Sequence, residues 1–186
     1  MRFKFVFLFF IGIHCNQGVE LTELPIGGNI VGIDKNRNSV DLKKIEEPVV
    51  LVFFGYTYCP DFCPNTLMKI KSAVDDLSPS DRKKFKVVFV SVDPIRDAPE
   101  TVQKYVSFYL PESIGLSFTQ SETDRIVKQY AAYVAKTEDG SSFDHSTYIY
   151  VLDSDRKTRK LIKTTDTKDM IKETILALGG NSVQTK

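Results

Sequence analysis

Apolar and polar positions begin to alternate in a regular way from about residue 20. Val49 to Phe54 is an unbroken apolar run directly after Pro48, which predicts a strand buried on both faces. Lys86 to Val92 (KVVFVSV) and Thr147 to Leu152 (TYIYVL) repeat that pattern. Arg159 to Lys163, after the turn-forming DSDRK, predicts a shorter strand beside the last of these. Residues 29–33 and the segment around Val40 flank the polar stretch DKNRN and predict a β-hairpin. Between the strands, apolar positions recur at helical spacing. Leu67, Ile70, Val74 and Leu77 follow Pro64, which suits a first helical position. Val102, Tyr105, Val106, Tyr109 and Leu110 follow Asp97-Ala-Pro-Glu100, a capping-box pattern with Asp97 as the cap, and Pro111 ends the stripe. Ser121 is expected to cap a third helix that buries Ile126, Val127 and Tyr130. A fourth, over 167–178, buries Ile171, Ile175 and Leu178 and stops at Gly179-Gly180.

The resulting order is hairpin, β, α, β, α, α, β, β, α. Strands alternate with helices early and pair antiparallel late, which predicts an α/β fold with a mixed sheet flanked by helices. Two cysteines, Cys59 and Cys63, fall just after the first buried strand and at the start of the next helix. That placement points to a thioredoxin-like sheet carrying an added N-terminal β-hairpin.

The chain has 186 residues, 42% of them hydrophobic and 26% charged, which fits one domain with its own core. A net charge of +1 gives no strong pull toward nucleic acid or anionic lipid. The first residues differ from the rest. Arg2 and Lys4 precede nine uncharged residues, Phe5 to Ile13, the order of an export signal. Nine helical residues rise only ~13 Å, against the ~30 Å hydrocarbon core, so this leader does not predict a membrane span. Residues 1–15 are therefore expected to be an export signal or a membrane-anchoring leader. Cys15 stands where a bacterial lipoprotein carries its acylated cysteine, although Gly12, Ile13 and His14 fit that pattern poorly. The folded domain is expected over 20–178, with 179–186 as a flexible tail. It is expected to work outside the cytosol, on the periplasmic side of an inner membrane or in an equivalent compartment, where paired thiols are exposed to oxidation.

The stretch FFGYTYCPDFCP sets Cys59 and Cys63 between Pro60 and Pro64, and each proline keeps the preceding residue out of helical geometry. Cys63 is thus expected at or beside the helix N-cap, where the helix end lowers a thiol pKa, while Asp61 opposes by like charge. The pair can serve as metal ligands, as a redox disulfide or as a structural staple. A loop this short gains little from a staple. Apart from His14 in the leader, the chain has one histidine, His145, in SSFDHSTYIYVL, directly before a buried strand and beside Asp144. Thioredoxins usually place a cis-proline there, yet residues 134–151 contain none. Two thiolates and one imidazole form a soft three-coordinate set suited to copper, as Cu(I) or Cu(II). Structural zinc wants a fourth ligand, which Asp144 or Asp93 would have to supply as an oxygen. Met68 and Met170 lie in or near helical stripes and read as core.

VLVFFGYTYCPDFCP, VVFVSVDPIRDAPE and DHSTYIYVLD, taken together, closely resemble the Sco/SenC family of copper proteins, over roughly residues 20–178. The resemblance implies a thioredoxin-like fold with an N-terminal hairpin and a role in assembling the binuclear copper centre of cytochrome c oxidase subunit II. It implies that one copper per chain is held by Cys59, Cys63 and His145. It also implies that Asp93 lies near the metal and that Arg96 and Asp97 shape the partner surface; Asp61 and Asp144 are candidates for the same surroundings. Many family members carry a full transmembrane anchor, which this leader is too short to form. Two function classes remain open on the residues. One is a copper metallochaperone, with copper entering and leaving by ligand exchange and nothing turned over. The other is a thiol–disulfide reductase that keeps the partner's cysteines reduced, with Cys59 and Cys63 as the redox pair. A peroxidase of the same fold is a third idea that nothing beyond the fold favours.

Overall fold

The computed structural model describes residues 19–138, 140 and 142–180. The leader, with Cys15, and the tail beyond Gly180 lie outside the described residues. An antiparallel hairpin, β1 (Val31–Ile33) and β2 (Ser39–Asp41), comes first. Its turn is closed by the Asp34 carboxylate, which accepts the backbone N–H groups of Asn36 and Asn38 at 2.8 Å each.

The main sheet has five strands: β3 (Val49–Gly55), β4 (Phe85–Ser91), β5 (Ile114–Leu116), β8 (Ile149–Leu152) and β9 (Thr158–Ile162), in the order β5-β4-β3-β8-β9. β3 is central and buried along its whole length, as its unbroken apolar run requires. It pairs parallel with β4 and antiparallel with β8. A separate two-stranded sheet, β6 (Val134–Lys136) with β7 (Phe143–His145), was not foreseen. Neither segment is long or apolar enough to announce a strand.

Side chains leave β3 on alternate faces. On one face the ring of Phe53 meets Phe89 at 5.9 Å and His145 at 6.4 Å; on the other Phe54 meets Tyr130 at 5.3 Å and Tyr150 at 5.4 Å. Among the described residues five α-helices complete the architecture: α1 (Phe62–Asp75), the short α2 (Pro79–Arg82), α3 (Pro99–Tyr109), α4 (Gln120–Gln129) and α5 (Lys168–Gly179). Among the described residues no helix is long and apolar enough to cross a membrane.

Three helix starts differ from expectation. α1 begins at Phe62, so Pro64 lies inside the first turn, where its missing N–H is not needed. α3 is capped by Ala98 with Pro99 at the first helical position, because the Asp97 carboxylate is drawn inward instead. α4 is capped by Thr119, which with Glu122 supplies both halves of a capping box, so Ser121 lies inside the first turn instead.

Gly55 ends β3 at a point of close approach. A Cβ there would stand 2.7 Å from Cys63 Sγ and 2.8 Å from the Phe89 ring. Gly55→Ala is therefore expected to destabilise the protein by roughly 1–3 kcal/mol, as overpacking of a filled core does, read as a lowered denaturant midpoint.

Candidate functional site

Three connections meet where β3 and β4 end and β8 begins: the β3–α1 loop with the cysteines, the β4–α3 loop with Asp93 to Asp97, and the β7–β8 junction with His145. Sγ of Cys59, Sγ of Cys63 and a ring nitrogen of His145 all lie within 4.8 Å of one another. Cys63 is fully buried, Cys59 is 8% exposed, and both are free thiols. Among the described residues, neither Asp93 nor Asp144 joins this group, so no carboxylate completes a four-ligand zinc set.

The cysteine loop folds so that one sulfur serves the helix. The Cys63 N–H, second in α1, donates to Cys59 Sγ at 3.4 Å, while Asp61, the N-cap by position, makes no side-chain cap bond. The exposed Asp61 carboxylate instead accepts from Asn65 Nδ2 at 2.6 Å. This reverses the expected thiol acidity. A hydrogen bond from the Cys63 thiol holds the Cys59 thiol far down, to about 3, against the opposing effect of burial, with the Cys63 amide adding to it. Cys63 is pushed up by that same bond, then by burial and by the charge on Cys59. The helix end favours Cys59 because its sulfur, not that of Cys63, receives the helix amide. The like charge weighing on Cys63 from a carboxylate is that of Asp97, the last of its causes, rather than Asp61.

His145 is presented by backbone chemistry. Its Nδ1 lies 3.0 Å from the Ser146 carbonyl oxygen, and a carbonyl only accepts, so Nδ1 carries the proton. Nε2, 3.5 Å from Cys63 Sγ, therefore keeps the lone pair that a metal or a thiol proton would meet. Phe143 and His145 are two apart in β7 and share a face, whereas Asp144 between them is exposed. Tyr56 backs both, with ring centroids 5.2 Å from Phe143 and 5.8 Å from His145. Its hydroxyl bonds Ser142 Oγ at 2.6 Å and accepts the Phe143 N–H at 3.3 Å.

The β4–α3 loop carries two buried carboxylates. Asp97 accepts from Thr57 N at 3.0 Å, Thr57 Oγ1 at 2.6 Å and Ser91 Oγ at 2.6 Å. It is a buried stitch between the cysteine loop and β4, not the helix cap expected from its sequence. Asp93, 2% exposed, is paired with the Arg96 guanidinium. Arg96 in turn lies over the rings of Tyr58, Phe143 and Tyr56, at 5.1, 5.7 and 5.8 Å from their centroids. Met68 is half exposed rather than core, and Met170 packs partly buried against the core. The roles of Tyr56, Thr57, Ser91 and Ser142 are not legible in the sequence, because their hydroxyls carry no signal until the fold brings their partners near.

A family model described as SCO1/SenC matches residues 20–179. The chain is 32% identical over 143 residues to the mitochondrial "Protein SCO1 homolog 1" of Arabidopsis thaliana, and 34% identical over 142 residues to "Protein SenC" of Rhodobacter capsulatus. Each match takes in 75% of this chain but only 43% and 64% of those relatives, less than two thirds of their length. Among solved structures, Arabidopsis thaliana ScoI with copper bound superposes with a TM-score of 0.74 at 30% identity, covering 81% of this chain and 96% of that one. Bradyrhizobium japonicum ScoI with copper bound gives 0.73 at 33% identity, covering 82% and 99%. The expected mixed sheet with flanking helices is present, and its structural neighbours are thioredoxin-like.

The thiol asymmetry has a measurable sign. Cys59 sits well below the ordinary value of 9.0 in the fold, so its share of stability is complete above about 9 and is lost as pH falls toward about 3. In the reduced protein, thiolate ultraviolet absorbance is expected to persist well below neutral pH. Cys63→Ala, which removes the main donor, is expected to move the Cys59 titration back up; an unchanged titration would refute the assignment.

Proposed function

The chain belongs to the SCO1/SenC family, and from that premise we propose that it is a copper carrier. It takes up one copper ion through Cys59, Cys63 and His145 and passes it to the binuclear copper centre of cytochrome c oxidase subunit II. The observation that carries this reading is the convergence of two sulfurs and one imidazole nitrogen within 4.8 Å. The two ScoI structures described with copper bound, at 30% and 33% identity, support it. The donor set is soft and small, which suits Cu(I) and admits Cu(II). Three ligands also leave room for an incoming thiolate to enter before the old ligands depart. We place the activity outside the cytosol, on the periplasmic side of the inner membrane or its equivalent, with the leader as export signal or anchor.

The site handles protons as well as metal. The Cys59 thiol is held far down and the Cys63 thiol up, so loading has to displace the proton of Cys63. That proton has to leave the site, because His145 Nε2, 3.5 Å from the Cys63 sulfur, would need its lone pair for the metal. Uptake is then favoured by rising pH, because binding releases a proton.

One observation favours a second reading, thiol–disulfide exchange with the partner's cysteines. Cys59 reaches the surface and Cys63 is sealed beneath it. The Cys59 thiolate would attack a partner disulfide and release one partner thiolate. Cys63 would then displace the second, leaving a Cys59–Cys63 disulfide and a partner reduced by two electrons. Copper occupation blocks this exchange.

Loading the reduced protein with Cu(I) and with Cu(II), beside a His145→Ala variant, separates the two. One copper per chain is expected, with a sulfur-to-Cu(II) charge-transfer band that the substitution alters. If copper binds poorly, or if the substitution changes nothing while the dithiol still reduces a disulfide, the carrier reading falls and the reductase reading replaces it.

A further inference from the structure

Among the described residues, the hairpin that carries His145 is a sheet of its own, with no ladder pairing to the five-stranded sheet. Two-stranded hairpins are marginal by themselves. The position of the imidazole therefore depends on side chains that tie β7 to the rest of the protein. We propose that Arg96 is the positioning residue that does this, a clasp holding the His145 hairpin and the cysteine loop against each other. The inference rests on reading this cluster as a copper site, and it names what keeps the third ligand in place.

The guanidinium is fixed from below and used from above. Asp93, at the end of β4 and almost wholly buried, pairs with Arg96 Nε and also accepts the Arg96 backbone N–H at 3.3 Å. Thus held, the flat cation faces Tyr58, the residue before Cys59, at 5.1 Å, and Phe143, two residues before His145, at 5.7 Å. Both distances fall inside the range of an attractive cation–π contact. Phe143 and His145 point to the same side of β7, so a force on the Phe143 ring is a force on the imidazole. Tyr56 closes the same gap from the core side, through its hydroxyl bonds to Ser142 and Phe143. Lysine would keep the charge but lose the planar face that spans two rings from two loops. A residue that only stabilised the β4–α3 loop would need Asp93 and nothing across the cleft.

The test uses Arg96→Met, Arg96→Lys and Phe143→Leu, each alone and combined with His145→Ala. Phe143→Leu leaves the Asp93–Arg96 pair intact, so it remains informative if Arg96→Met exposes Asp93 to an uncompensated charge and fails to fold. In metal-free protein, the ring nitrogen resonances of His145 are expected to report a single Nδ1–H tautomer, becoming a tautomer average in the clasp variants. Cu(I) affinity, measured by competition with a chelator, is expected to fall about 10- to 100-fold in Arg96→Met, as for other residues that orient a metal ligand. Arg96→Lys should recover part of that loss, and none of the variants should lose anything further once His145 is already alanine. Unchanged resonances and unchanged affinity would overturn the proposal, as would an equal loss of affinity with and without His145. If His145→Ala itself leaves copper affinity untouched, it is the copper reading of His145 that fails, and the metal-free resonances still decide whether Arg96 is the clasp.

Discussion

Strand β3 lies between a parallel and an antiparallel neighbour, and that single register decides what can meet at its end. Gly55 stands opposite Ser91 in parallel β4, and the Val92 N–H donates to the Gly55 carbonyl at 2.8 Å, so the chain leaves both strands side by side. Phe53 stands opposite Ile149 in antiparallel β8, which brings the residues before β8 to the same edge. Three loops far apart in sequence are thereby delivered to one place, each with a different chemistry. A slip of one residue would turn Phe53 to the opposite face and remove the ring that His145 packs on. Glycine at position 55 belongs to the same constraint, because the Cys63 sulfur fills the volume its side chain would need.

Two carboxylates convert this adjacency into fixed geometry. A buried, unpaired carboxylate would be expensive, but Asp97 receives three hydrogen bonds and Asp93 faces a guanidinium. Charge-assisted bonds of this kind contribute about 1.5–3 kcal/mol each, enough to offset burial and to fix the cysteine loop relative to β4. Without Asp97 the Thr57 N–H would lose its partner just two residues before Cys59. The polar network is therefore part of how the two sulfurs and the imidazole are aimed, although it adds no donor atom to their cluster among the described residues.

The frame was readable in the sequence because it rests on apolar periodicity. Val49–Phe54 and Lys86–Val92 could be little else than buried strands, and the helix stripes at Leu67–Leu77 and Val102–Tyr109 follow from spacing alone. The cysteines and His145 were visible because few other residues of their chemistry exist in the chain. What the sequence concealed depends on contacts that only the fold creates. Asp97 carries a legitimate capping pattern, and it was overridden by Thr57 of the cysteine loop and Ser91 of β4. Cys63 sits at a helix start, yet the amide it carries points at Cys59. The β6–β7 hairpin has three-residue strands, too short for any pattern, and Arg96 is an ordinary arginine until Tyr58 and Phe143 surround it.

The unequal burial of the two sulfurs also governs what happens when the site is empty and an oxidant arrives. Peroxide from solvent would meet Cys59 first, since Cys63 is sealed against Gly55 and Phe89. A sulfenic acid formed there would have the Cys63 thiol within 4.8 Å, and condensation with it would yield a disulfide and one water. Further oxidation to sulfinic acid, which cannot readily be undone, has to compete with that nearby capture. Damage would thereby be channelled into a bond that reducing thiols can open, and the burial that deepens the cluster of two sulfurs and one imidazole would act as its fuse.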